Sequence, residues 1–378
     1  MQSIKKTDNL YIGALSGTSM DSIDVSLLKI NKKIKIINTV SLKMPQDLFI
    51  LMSKLSKTKS NLLLKPTRDL KKADEKFTVL TVKAIKKLLK KNNVKKNEIK
   101  AIGSHGQTIQ HFPFSKKPYS LQIGNPEIIA KLTGITTVGN FRQTNIANGG
   151  TGAPLTPSFH EAFFRDDKKN RAILNIGGIS NVTLLLRNQR SIGWDTGPGN
   201  CLIDQSIRTF TNQKKLFDKY GNYGKKGDFT KLNKLIYRIL NKSYFSKDLP
   251  KSDSTESYDF SSLYFEDKSI TKFDWISAMT EITAITIMES LIQNCPVKKL
   301  NIYLCGGGSK NNYLIERLKI KLPKNWSIGT TNTLGIDPML IETSTFGWLA
   351  KQRLENKKVD LKASTGANLA LTGEIYSY

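Results

Sequence analysis

Cysteine is scarce in this 378-residue chain. The three that exist, Cys201, Cys295 and Cys305, form no CxxC pair and have no histidine at metal-ligand spacing, which argues against a zinc site. An odd, scattered set suits a reducing compartment, so a cytoplasmic protein is expected. Long apolar runs are also missing. None approaches 18 residues, so no transmembrane span is expected, and the segment Met1–Asn9 lacks the apolar core of a signal peptide. Acidic residues are few, 31 against 59 Lys and Arg, for a net charge of +28. Such an excess can mark a nucleic-acid or anionic-surface partner. Here it is mostly Lys, spread over the whole chain without interleaved aromatic patches, and it reads as a lysine-rich solvated surface. Neither a nucleic-acid nor a membrane partner is expected, although a basic surface would help attract an anionic nucleotide.

What is present suits a soluble protein of two domains, with 39% hydrophobic and 24% charged residues. The chain opens on an apolar run from Leu10 that breaks at Gly17-Thr18-Ser19 and then alternates from Ile23 to Leu27, which predicts strand, tight turn, strand. A Gly-led turn lets backbone N–H groups approach an anion, and hydroxyls add donors. The turn therefore reads either as a phosphate grip or as an ordinary hairpin turn. It is not a Walker loop, since no Gly-Lys-Ser/Thr follows. The pattern returns at Ala172–Leu186, centred on Gly177 and Gly178, which suggests a duplicated unit.

Between the two hairpins, helical spacing covers 46–60 and 73–91, and a strand from Ile99 runs into a polar turn, Ser104-His105-Gly106-Gln107-Thr108. His105 and Gln107 suit a ligand site at a strand's C-terminal end, or a purely structural role. Asn125-Pro126-Glu127 marks a helix start. Residues 140–157 read as a long loop and domain junction, in which Arg142 could grip a carboxylate or a phosphate. Further on, a strand reaches Asp195, followed by a tight turn through Gly197 and then a helix. Asp195 is a candidate general base or metal partner, or a turn-capping residue. Residues 274–293 form an amphipathic helix. Gly306-Gly307-Gly308 link a strand to a helix whose N-terminus favours phosphate. Glu342 enters the last helix, either facing a site or as an ordinary exposed acid.

These motifs, spread over nearly the whole chain, resemble the anhydro-N-acetylmuramic acid kinase family of the sugar kinase, actin and Hsp70 superfamily. The matching segments are Ile12–Asp24, Gly103–Thr108, Gln122–Gly124, Phe141-Arg142, Gly149–Leu155, Leu174–Ile179, Asp195–Asn200, Cys305–Asn311 and Thr365–Ala367. The resemblance implies two ribonuclease-H-like α/β domains flanking a central ATP cleft, expected at 1–140 (with 360–378 packed on it) and 141–359, and a homodimer. It implies ATP- and Mg²⁺-dependent phosphorylation of a small amino sugar, 1,6-anhydro-N-acetylmuramic acid, with ring opening. A kinase for another amino sugar and a non-catalytic sugar sensor are the alternatives. Asp195 would be the base. Gly17, Thr18, Ser19, Met20, Asp21, Ser22, Ile23, Asp24, Gly177, Gly178, Gly197, Gly306, Gly307 and Gly308 would bind nucleotide. His105, Gln107, Arg142 and Glu342 would surround the sugar. Metal ligands are not identified by the resemblance, with Asp21, Asp24 and Asp195 candidates through water. The chain departs from the family pattern at Ser22 (Gly), at Asn140 and Asn145 (Asp), at Thr151 (Gln) and at Lys251–Glu256, where Lys-Ser-Thr-Gly-Arg-Glu is usual. Leu15 also stands where many superfamily members carry Asp. A turn needing positive φ at Ser22 would cost about 1 kcal/mol over Gly.

Overall fold

The computed structural model describes residues 9–17, 19–58, 67–249, 251, 253 and 255–378, the side chain of Glu256 excepted. The opening hairpin forms where alternation places it: β1 (Leu10–Leu15) pairs antiparallel with β2 (Ser22–Ile30), Leu15 opposite Asp24. Next come β3 (Ile34–Lys43), α1 (Gln46–Ser56) and α2 (Arg68–Asn92), the last capped by the Thr67 hydroxyl. Then follow β4 (Ile99–Phe112), β5 (Tyr119–Ile123), α3 (Pro126–Thr133), β6 (Thr137–Gly139), α4 (Phe141–Ala147) and α5 (Thr156–Phe164). Asn125 caps α3 through its side-chain oxygen, as its sequence signature requires.

The next elements are β7 (Arg171–Ile176), β8 (Ile179–Leu185), β9 (Ile192–Pro198), α6 (Cys201–Phe210), α7 (Asn233–Leu240), α8 (Lys272–Asn294), β10 (Leu300–Cys305), α9 (Asn312–Ile320) and β11 (Trp326–Thr330). The chain ends with α10 (Ile341–Leu354), α11 (Lys362–Thr365) and β12 (Glu374–Tyr376).

Two units result, Met1–Phe163 with Leu340–Tyr378, and Phe164–Met339. The first sheet runs β12-β6-β4-β1-β2-β3, with β5 on β4. The second runs β11-β10-β7-β8-β9. In each, an antiparallel meander of three strands is extended by two parallel ones: β3-β2-β1 then β4 and β6, β9-β8-β7 then β10 and β11. The repeated order is that of a duplicated ribonuclease-H-like unit.

The boundaries differ from the expected ones. Residues 141–163 and 340–359 go with the first unit rather than the second. The segment 140–157 is not one loop, since α4 and the start of α5 lie within it. It docks on the C-terminal segment: Thr151 N–H, in the loop, donates to Thr365 O at 2.9 Å, and Asn145 of α4 donates to the Thr365 hydroxyl at 3.0 Å. Helix α10 closes the face of β1 and β4. A Cβ on Gly13 would lie 1.7 Å from Thr343 O, so only glycine allows this approach. We expect Gly13→Ala to lower the melting temperature by several degrees or more, since overpacking costs about 1–3 kcal/mol even where side chains alone must yield. An unchanged melt would show that α10 can retreat freely.

Helix α8 was expected to be amphipathic, yet it is buried on nearly all sides. Its first half packs Trp275, Met279 and Ile282 among residues of α6 and α7, and its second half packs Ile287, Met288 and Leu291 on the sheet. It is long and apolar enough to cross a membrane, but 83% of its apolar window is buried inside the structure, which makes it a core helix.

Candidate functional site

In the first unit the β1–β2 turn holds Gly17, Ser19, Met20 and Asp21, while Thr18 lies outside the described residues. Met20 N–H closes the turn on Gly17 O at 3.1 Å. Met20, not Ser22, takes the left-handed backbone, with φ 56. Ser22 is already the first residue of β2, paired with Lys43, so its replacement of glycine carries no strain there. The Ser19 hydroxyl donates to Asp21 at 2.7 Å and that of Ser22 to Asp24 at 3.0 Å, while Ile23 is a core residue.

The polar stretch 104–108 is not a turn but the middle of β4. A bulge shifts its register against β1 between Ala14 opposite Ser104 and Leu15 opposite Gly106, leaving His105 unpaired. Gly106, at φ 76, supplies the backbone this needs, and such a bulge re-aims a side chain. His105 then receives a hydrogen bond on Nε2 from Arg142 Nε at 2.9 Å, and its Nδ1 lies 3.1 Å from Gly106 O. This pairing fixes the tautomer with the proton on Nδ1. Burial, followed by the Arg142 charge, pushes the His105 pKa down to about 3, so the ring is neutral at any working pH. Burial lowers that of Arg142 to about 10, opposed by Glu342. Burial raises that of Glu342, with Arg142 opposing and Asp24 reinforcing.

His105, Arg142, Glu342 and Asp24 thus share one electrostatic neighbourhood. Among the described residues, the buried Gln107 Oε1 and the hydroxyls of Ser16 and Ser104 have no hydrogen-bond partner. Buried polar atoms normally have partners, so these offer unused donors and acceptors to a polyhydroxylated ligand. The roles of Ser16 and Ser104 were not evident in sequence, because a serine in a strand carries no signal of its own. Arg142 is aimed from α4, whose first turn is fixed by Asn140 (φ 54). The Asn140 amide donates to Glu374 and to the Tyr376 hydroxyl, each at 2.7 Å.

In the second unit Asp195 lies on β9, partly buried. Its Oδ2 accepts from Asp253 N–H at 2.9 Å, and its carbonyl accepts from the Tyr244 hydroxyl at 2.7 Å. Oδ1 accepts no hydrogen bond among the described residues. Burial raises its pKa to about 7; the Asp253 N–H works against this and the Asp253 charge with it. A carboxylate so tuned, with one oxygen uncommitted, can take a proton from water near neutral pH. Sequence reasoning missed Tyr244, which no motif marks, and Asp253 and Tyr258, which sit in a Ser- and Asp-rich stretch over 248–262 that reads as loop.

The glycine turns of this unit meet. Gly177 and Gly178 offer their carbonyls to Asn200 N–H at 2.7 Å and to Gly199 and Cys201 N–H at 2.9 and 3.1 Å, fixing the start of α6. The Asn200 side chain donates to Ile176 O at 3.1 Å, and Gly308 packs on the Ile176 side chain. Gly197 separates this corner from Asp195. Gly306–Gly308 do not lead directly into α9 as expected: a 3₁₀ turn over Gly307–Lys310 intervenes, and Asn311 caps the helix through Leu314 N–H at 3.0 Å. Of the three glycines only Gly307 is exposed, while Gly308 is buried.

A family model described as anhydro-N-acetylmuramic acid kinase matches residues 9–377. The chain belongs to the anhydro-N-acetylmuramic acid kinase family. It is 40% identical over 372 residues to the anhydro-N-acetylmuramic acid kinase of Coxiella burnetii (strain RSA 493), covering 97% of each chain. It is 37% identical over 373 residues to that of Pseudomonas savastanoi pv. phaseolicola, covering 98% of this chain and 99% of the other. Among solved structures, the activator of 2-hydroxyisocaproyl-CoA dehydratase from Clostridium difficile aligns over 92% of this chain and 96% of its own, at 10% identity and a TM-score of 0.43. As a member of the anhydro-N-acetylmuramic acid kinase family, the chain is a kinase, a phosphotransferase acting on an alcohol group.

Proposed function

We propose that the chain uses ATP to phosphorylate 1,6-anhydro-N-acetylmuramic acid while opening its anhydro ring, giving N-acetylmuramic acid 6-phosphate and ADP in murein recycling. The observation that carries this reading is Asp195, a carboxylate with its pKa near 7 and one oxygen uncommitted, in a chain of this family. Water attacks the anomeric carbon as Asp195 Oδ1 takes its proton. The bond from that carbon to O6 breaks, and O6 takes the γ-phosphoryl group, releasing ADP. Phosphoryl transfer asks the protein chiefly for positioning and charge neutralisation.

Gly17–Asp24 are assigned to the ATP phosphates, Gly177, Gly178 and Gly197 to the same ligand, and Gly306–Gly308 to the adenosine. Arg142 is assigned to the lactyl carboxylate, with His105, Gln107 and Glu342 around the sugar. Among the described residues no group of three His, Cys, Asp or Glu could hold a metal. Mg²⁺ keeps several waters and uses one or two carboxylates plus substrate phosphates. Asp21, Asp24 or Asp195 would meet it through water, and it would neutralise phosphate charge. The same reading makes the protein a cytoplasmic homodimer, which light scattering on a sizing column would measure.

An ADP-release assay tests the proposal. Turnover is expected with 1,6-anhydro-N-acetylmuramic acid and not with ordinary N-acetylhexosamines. No turnover with the anhydro sugar, in folded protein, would sink it.

A further inference from the structure

Tyr244, Lys251 and Asp253 hold Asp195 at three points. The Tyr244 hydroxyl donates to its carbonyl at 2.7 Å, its own N–H donates to Lys251 O at 3.1 Å, and Asp253 N–H donates to Oδ2 at 2.9 Å. Only the last contact touches the carboxylate. It depends on where Asp253 stands, and Asp253 is tied to the core: the Tyr258 hydroxyl donates to its Oδ2 at 2.5 Å. Tyr258 is 4% exposed, among Cys201, Phe260 and Trp275. Its backbone is clamped by Gln205 of α6, whose amide donates to Tyr258 O and accepts from Phe260 N–H, each at 2.9 Å. A line of hydrogen bonds therefore runs from the rigid helix α6 through Tyr258 and Asp253 to Asp195.

We propose that Tyr258 and Asp253 are positioning residues, holding Asp195 Oδ2 so that Oδ1 stays oriented as the proton acceptor. The pair is a property of this chain, since the family pattern has Thr where Asp253 stands. Asp253 gives the Tyr258 hydroxyl an acceptor oxygen at 2.5 Å. The inference rests on reading Asp195 as the base, and a base must be held within hydrogen-bond reach of its proton.

The test is a double-mutant cycle. Tyr258→Phe and Asp253→Ala are each expected to lower kcat by about 10- to 100-fold, the loss that a misplacement near 1 Å brings. KM for ATP and for the sugar should stay within about twofold. Asp253→Asn keeps an acceptor for Tyr258 and should retain most of the rate, and the double variant Tyr258→Phe with Asp253→Ala should fall no further than either single one. Unchanged kcat in folded Tyr258→Phe, multiplying losses in the double variant, or Asp253→Asn as poor as Asp253→Ala would each overturn the pair. A crystal structure of Tyr258→Phe reads the same device without turnover. The bond from Asp253 N–H to Asp195 Oδ2 should be lost, and its retention near 2.9 Å overturns the proposal even if the substrate reading fails.

Discussion

Asp195→Asn is expected to bind ATP as the unaltered chain does and to lose turnover by about 10²- to 10⁴-fold, the range that a general base supplies. The amide is nearly isosteric and can still accept the Asp253 N–H on its oxygen, so folding is spared while proton transfer is removed. The unaltered enzyme should show the ionisation in its rate. Its base works only as carboxylate, and that carboxylate has a pKa of about 7. kcat/KM should therefore rise with pH through about 7 and level above it. The stability effect has the opposite sense. A carboxyl whose pKa is raised on folding stabilises the fold while protonated, and that contribution is lost as pH climbs from the ordinary carboxylate range through the raised value. The Asn variant lacks this dependence. It should gain in melting temperature relative to the unaltered chain between pH 5 and pH 8. Binding is followed by calorimetry and turnover by ADP release. Full turnover in the Asn variant removes Asp195 as the base.

Both hairpins could be read in the sequence because alternation and a glycine break are local signals. Ile12–Leu27 and Ala172–Leu186 each needed about 15 residues to declare themselves. They suggested a duplicated unit, while the ribonuclease-H-like fold was what the family resemblance implied. The passage of β4 through Ser104–Thr108 could not be read, because those polar residues are held in the strand by pairing with β1 and β5, a long-range effect that no local propensity reports. Helix α4 was hidden for the related reason that Asn and Gly around it imitate a loop. The membership of α10 in the first unit turns on Gly13, Gly103 and Gly347, whose bare backbones let helix and sheet approach. A glycine announces permission for such contact, not the partner more than 240 residues away. Asp195 was a candidate from its punctuated strand and turn, whereas nothing local marked Asp253 and Tyr258, whose hydrogen bond is made within a loop.

Arg142→Met is expected to raise KM for the anhydro sugar by about 30- to 150-fold, the scale of a charge-assisted contact of 2–3 kcal/mol removed from a site. The guanidinium uses Nε on His105, and its remaining N–H groups make no hydrogen bond among the described residues. A planar fork in that state can seize a carboxylate through two parallel bonds. The change also leaves Glu342 and Asp24 without the cation that opposes their mutual repulsion. Removing one partner from buried charges costs about 3–5 kcal/mol when the other cannot reach water. Glu342 can instead protonate, its pKa being already raised, so the stability loss should be smaller at pH 5 than at pH 8. Arg142→Lys should not restore binding, because one ammonium cannot satisfy His105 Nε2 and also present a bidentate face. The discriminating substrate is the anhydro amino sugar without the lactyl group. The unaltered enzyme should prefer the lactyl compound strongly, and Arg142→Met should lose that preference while keeping residual turnover on both. If the preference survives the substitution, the carboxylate is held elsewhere, and Arg142 serves only to fix the His105 tautomer.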